Sequence, residues 1–208
     1  MMKVLLVNGS PHEKGCTYTG LLEAAKELER NGIETEIVHI GTKPIGGCIG
    51  CGGCVGKGYC VFGADGVNQV IEKAEGADGF IFGSPVHYAA AAGNMTSLMD
   101  RIFYAGKKNF AYKPGAVMVS CRRGGATAAF DQLNKYMTIS NMLVVGSQYW
   151  NMIHGSKAED VAKDEEGLQT MRTLGRNMAW ILKCIEAGKA AGVSIPEAEA
   201  VLRTNFIR

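Results

Sequence analysis

Four of the seven cysteines fall between positions 48 and 60, spaced Cys48-x2-Cys51-x2-Cys54-x5-Cys60. Four thiolates in so short a span can hold a four-iron cluster. Zinc also accepts four thiolates, although its usual ligand set comes as two knuckles with a longer spacer. Cys51 and Cys54 form a C-x-x-C pair that could work as a redox dithiol, or the thiols could stay free of metal. Glycines at 46, 47, 50, 52, 53, 56 and 58 let the backbone wrap closely around whatever is held.

A second set of chemistry-bearing residues follows the first apolar run. Gly9-Ser10-Pro11-His12-Glu13-Lys14-Gly15-Cys16-Thr17-Tyr18-Thr19 leads from a strand pattern into a helix pattern. Hydroxyls at Ser10, Thr17 and Thr19 can donate to phosphate oxygens. Unpaired backbone N–H groups at a helix start attract the same anion, and Lys14 adds charge. An ordinary strand–helix turn with Thr17 as N-cap explains the same residues. Two other nucleotide patterns fail on spacing. Gly56-Lys57 resembles a P-loop end, but Gly58 follows where Ser or Thr belongs. Gly50-Cys51-Gly52 opens a dinucleotide pattern, but Val55 stands at its last glycine.

Two further loops match the first. Ser84-Pro85-Val86-His87-Tyr88 ends one buried run, and Cys121-Arg122-Arg123-Gly124-Gly125 ends another. Pro85, Val86 and Tyr88 suit a flat apolar wall for an isoalloxazine ring. The Gly124-Gly125 turn lets backbone come close, and an arginine near N1 of the ring would stabilise its reduced form. Taken singly, Ser-Pro is a common turn, Arg122-Arg123 a common solvated pair, and His87 a weak sign of acid–base work.

The elements that must position these loops alternate along the chain. Strands are predicted at Lys3–Asn8, Glu34–Ile40, Asp78–Gly83, Gly115–Cys121 and Leu143–Ser147. Helices are predicted at Thr17–Asn31, Asp65–Glu75, Ala92–Tyr104, Thr127–Ile139 and Ala158–Ala187. Residues 189–208 form a tail without a readable pattern. Such alternation implies a parallel sheet covered on both faces. Ligands then bind beyond the strands' carboxyl ends, where all three loops lie.

Composition narrows the function. The 208 residues suit a single α/β domain, residues 1–208, and the 28 glycines sit mostly between apolar runs. A formal charge of +2 lacks the basic footprint of a nucleic-acid binder. No apolar run approaches a membrane span, and the N-terminus is too short for a signal-peptide core. A cytoplasmic, reducing setting is expected, in which clustered cysteines serve metal or redox work.

Asn8-Gly9-Ser10-Pro11, Phe82-Gly83-Ser84-Pro85-Val86-His87-Tyr88, Met99-Asp100-Arg101 and Arg122-Arg123-Gly124-Gly125 together resemble the NADPH-dependent FMN reductase family of flavodoxin-like proteins. The cysteine spacing resembles that of the family's iron–sulfur flavoprotein branch. The resemblance implies a doubly wound five-stranded sheet of order 2-1-3-4-5. It also implies FMN held by the loops at 9–19, 84–88 and 120–125, and a homodimer or homotetramer. Cys16 stands where Asn is common among relatives, and His87 where Tyr is. Asp100-Arg101 reads as a structural pair closing a helix. The leading expectation is an FMN oxidoreductase taking electrons from NAD(P)H to a flavin, quinone or similar small acceptor. The second is an iron–sulfur flavoprotein carrying electrons with ferredoxin-like partners. A third is a flavin- or metal-binding module without catalysis.

Overall fold

Alternate residues of a strand face opposite sides of its sheet, and the sequence uses both sides. In β1 (Lys3–Asn8), Val4 and Leu6 enter one core while Leu5 and Val7 enter the other. β5 (Pro114–Cys121) repeats the pattern, with Ala116 and Met118 on one side and Val117 and Val119 on the other. Strands buried on both faces must be covered by helices on both faces.

The computed structural model describes residues 1–207; the last residue of the predicted tail, Arg208, lies outside them. The remaining elements are α1 (Cys16–Arg30), β2 (Glu34–His39), α2 (Val67–Glu75), β3 (Gly79–His87), β4 (Ala90–Ala91), α3 (Gly93–Ala105), α4 (Ala126–Thr138), β6 (Leu143–Val144), β7 (Met152–His154), α5 (Ala158–Val161) and α6 (Glu165–Ala190). The strands run β2-β1-β3-β5-β6, with β7 on β5 and β4 on β3. All main pairings are parallel, so the loops after β1, β3 and β5 leave one edge.

One core lies beneath α1 and α6, the other beneath α2, α3 and α4. The second is centred on aromatic rings. Phe103 and Phe110 stack at 4.5 Å between centroids, and Phe80 tilts against Phe110 at 4.8 Å.

Three predicted elements need correction. The fifth strand, predicted as Leu143–Ser147, is split into β6 and β7, and both fragments pair with β5. Asn151 fills the gap. Its side-chain amide donates to the Val117 carbonyl at 2.9 Å, and its backbone carbonyl accepts from Val119 at 3.0 Å. A buried carbonyl without that partner would cost about 1–3 kcal/mol. The final helix, predicted as Ala158–Ala187, is broken at Asp164. This carboxylate caps α6 by accepting from Gly167 N at 3.0 Å, and it also accepts from His154 N at 2.6 Å. β3 also outlasts its predicted end at Gly83 and reaches His87, where it turns back into β4.

α1 and α6 touch at a glycine. A Cβ at Gly175 would stand 2.7 Å from the Ala24 carbonyl oxygen and 2.8 Å from the Glu27 Cβ. Because one contact is backbone, neither helix can yield without moving whole. Gly175→Ala should therefore destabilise the fold by about 1–3 kcal/mol, read as a lower urea midpoint at unchanged slope; an unchanged midpoint would show that the helices separate freely.

Candidate functional site

β1 ends at Asn8, and its side chain begins the next loop. Asn8 Oδ1 accepts from Ser10 N at 3.1 Å, while its amide donates to the Glu13 carbonyl at 3.0 Å. Ser10 Oγ accepts from His12 N, and His39 at the end of β2 donates through Nε2 to the Ser10 carbonyl at 2.8 Å. The loop is thus fastened to two neighbouring strands before α1 starts.

α1 begins at Gly15 as N-cap, not at Thr17. It has no side-chain cap and no acidic residue in its first turn. The N–H groups of its first turn point out of the helix end without a side-chain acceptor, which is the arrangement that binds an anion. Thr17, the second residue of α1, is buried, and its hydroxyl shares a 2.8 Å hydrogen bond with Ser120 Oγ on β5. Thr19 Oγ1 donates back to the Gly15 carbonyl at 3.1 Å.

A cleft of about 590 Å³ opens at this helix end. That size suits a small-molecule or cofactor site. Of the residues predicted from the sequence, it gathers Ser10, Cys16, Thr17, Pro85, Val86, His87, Cys121 and Arg122. His12, Lys14 and Ser120 join them, so all three loops contribute. A fourth stretch, Gly155–Glu159, completes the wall. Helical periodicity claims the end of that stretch for the final helix and leaves the rest as a connection. Its signal is a glycine–serine step directly after a strand, Gly155-Ser156, the same step as Gly9-Ser10 after β1.

The other predicted residues stand around the cleft instead of along it. Pro11, Arg123 and Gly124 are exposed, and Tyr18 and Thr19 are half-buried on α1. Ser84 is fully buried; its hydroxyl donates to the Pro85 carbonyl and accepts from Ala92 N, tying β3 to the start of α3. Tyr88 and Ala89 form the two-residue turn between β3 and β4, with φ of +50° and +59°. Such a turn favours Asn-Gly; here two residues with side chains bear the strain, and Tyr88 projects fully into solvent. Gly125, at φ +90°, caps α4 and lets that turn close, since a Cβ there would meet the Ala89 Cα at 2.7 Å.

Two thiols line the cleft. Burial pushes the Cys16 thiol up from its ordinary range, and the carboxylates of Asp160 and Glu159 add to the shift. Burial likewise raises Cys121, with Asp164 contributing. Cys16 Sγ lies 3.5 Å from the Gly155 carbonyl, which links the start of α1 to the fourth stretch.

The cysteine loop between β2 and α2 is organised by one buried cation. Arg101 sits inside α3, not at its end as expected, and is 3% exposed. It donates Nε–H to Cys60 Sγ at 3.3 Å and Nη1–H to the Gly46 carbonyl at 3.1 Å, and it also binds the Phe62 carbonyl and pairs with Asp65. Burial opposes its charge, but Asp65 and Cys60 outweigh burial and its pKa is raised. Asn68 grips Cys60 from the other side, with both backbone groups of Cys60 bonded at 2.8 Å. Cys54 is half-buried, and Cys48 and Cys51 are exposed. Among the described residues, no three His, Cys, Asp or Glu side chains converge as a metal site requires.

The family model for NADPH-dependent FMN reductases matches residues 2–157. The chain belongs to that family. An iron–sulfur flavoprotein of Methanocaldococcus jannaschii is 34% identical over 193 residues, covering 89% of this chain and all of the relative. An iron–sulfur flavoprotein of Methanosarcina thermophila is 30% identical over 194 residues, covering 90% and 99% of the two chains. Solved structures agree on the fold, which is flavodoxin-like. A flavodoxin from the domain Archaea superposes with a TM-score of 0.60 at 15% identity, over 88% of this chain and 99% of that one. The apo form of the NADH:FMN oxidoreductase EmoB gives 0.65 at 14% identity, over 87% and 90%. At the level of the family, the protein is an FMN-binding oxidoreductase. Among the described residues, no helix is long and apolar enough to cross a membrane.

Raised thiols react slowly with electrophiles, because the thiolate is the nucleophile. Iodoacetamide at pH 8 should therefore label exposed Cys48, Cys51 and Cys184 first and leave Cys16 and Cys121 behind, as followed by peptide mass spectrometry. Equal rates at Cys121 and Cys184 would contradict the burial of the cleft thiols.

Proposed function

We propose that the protein uses FMN to pass electrons from NAD(P)H to a flavin, quinone or similar small acceptor. The observation that carries this reading is the uncapped start of α1 opening into the same cleft as an apolar wall and an arginine. An anion and a flat ring, joined in one ligand, match those two halves. The residues fit the cofactor chemically. First-turn N–H groups, Ser10 and Lys14 offer donors and charge for a phosphate, helped by the helix dipole. Pro85 and Val86 supply the wall, and Arg122 a positive charge at its rim.

When bound, FMN supplies the hydride and electron chemistry. The chain's own work is to bind it, orient it and shield one of its faces. The Thr17–Ser120 hydrogen bond fixes α1 against β5, which sets the distance between phosphate donors and wall. None of this requires a side chain as nucleophile or base, so no catalytic residue is assigned.

A second reading has its own support. Cys48, Cys51, Cys54 and Cys60 form a soft donor set suited to iron and sulfide. Cys60 already accepts an N–H at its sulfur, and both relatives named above are iron–sulfur flavoproteins. Those cysteines would hold a [4Fe-4S] cluster, which would supply single-electron transfer between the flavin and ferredoxin-like partners.

The protein purified anaerobically and titrated with FMN should quench the flavin's fluorescence, and NADPH should bleach the bound flavin within seconds. Iron and sulfide analysis of the same sample decides the second reading. Ser10→Ala should weaken FMN binding about tenfold or more, as expected for a hydrogen bond to a charged group. Unchanged affinity in that variant would remove the phosphate assignment.

A further inference from the structure

A loop closes around a metal at less ordering cost when one of its ligands is already held by the protein. Three of the four cysteines in the loop are not so held. Cys48 and Cys51 are exposed, and Cys54 lies in a pair of turns closed by Val55 N to the Gly52 carbonyl and Lys57 N to the Cys54 carbonyl. Cys60 differs. It is buried, its backbone is gripped on both sides by Asn68, and its sulfur accepts Nε–H of a buried guanidinium.

The same guanidinium reaches both ends of the loop. Arg101 binds Gly46, two residues before the first cysteine, and Phe62, two residues after the last. One planar group with donors in a fixed fork can do this. A lysine would bring the charge to a single point.

We propose that Arg101 is the positioning residue of the cysteine loop: it presets Cys60 as the fixed ligand, and in the metal-loaded protein its N–H group tunes the bound cluster through the Cys60 sulfur. The proposal rests on the iron–sulfur reading above. In it, Cys60 would be the ligand already in place, and Cys48, Cys51 and Cys54 would complete the set from the more exposed side. A hydrogen bond and a positive charge beside a ligating sulfur favour the reduced cluster, because they offset the electron it gains. Outer partners of this kind typically govern metal affinity by about 10- to 100-fold.

The test compares wild type, Arg101→Gln and Arg101→Lys. Each is purified anaerobically, reconstituted with ferrous iron and sulfide, and titrated with FMN. Arg101 is absent from the FMN cleft, so FMN affinity reports an intact fold. The expected result is unchanged FMN affinity in both variants, with the cluster lost to a chelator about 10-fold faster or more in Arg101→Gln. Its reduction potential should be more negative than wild type, with Arg101→Lys between the two. Wild type that takes up no iron would defeat the iron–sulfur reading itself. Wild type and Arg101→Gln that load equally, at the same potential, would overturn the role of Arg101 alone. Loss of FMN binding in both variants would also overturn it, by making Arg101 a residue of the fold.

Discussion

The parallel ladder through β1, β3 and β5 is the constraint on which the site depends. Strands in parallel register must all end at the same edge, so Gly9-Ser10, Pro85-Val86 and Cys121-Arg122 meet without any contact among distant loops having to create the meeting. The Thr17–Ser120 hydrogen bond and the Gly9 N–H to the Gly83 carbonyl then lock neighbouring loops across that edge. Alternation of apolar residues along each strand keeps this edge rigid, because both faces of the sheet are buried under helices.

Much of this arrangement is legible in the amino-acid sequence. Period-2 and period-3.6 patterns are local, so the strands through β5 and the helices through α4 can be read within a residue or two at most ends. The loop after β1 and the two loops after β3 and β5 follow from topology once the alternation is seen. The fourth wall is not legible, because its position depends on Asn151 and Asp164. Asn151 interrupts a strand by replacing a backbone donor with a side-chain amide. Asp164 interrupts a helix by capping its successor. Neither event changes the apolar periodicity around it, so periodicity alone runs straight through both.

Arg101 shows a different limit. Its sequence neighbours form an ordinary amphipathic helix, and nothing in that pattern says which distant carbonyls will surround the side chain. A buried guanidinium is costly unless paired, and here the pairing comes from a loop that has almost no regular structure of its own. The irregular loop and the buried charge each satisfy the other's unmet hydrogen bonds, which is why neither can be interpreted from its own segment.

The interrupted fifth strand has one more consequence. Sheet edges with free backbone groups invite other chains to add a strand. At the β6–β7 edge, two short fragments are separated by an excursion through Tyr149 and Trp150. An incoming strand would find no continuous ladder to copy. The same asparagine that lets the backbone leave the sheet and return beside the cleft also makes this edge a poor template for aggregation.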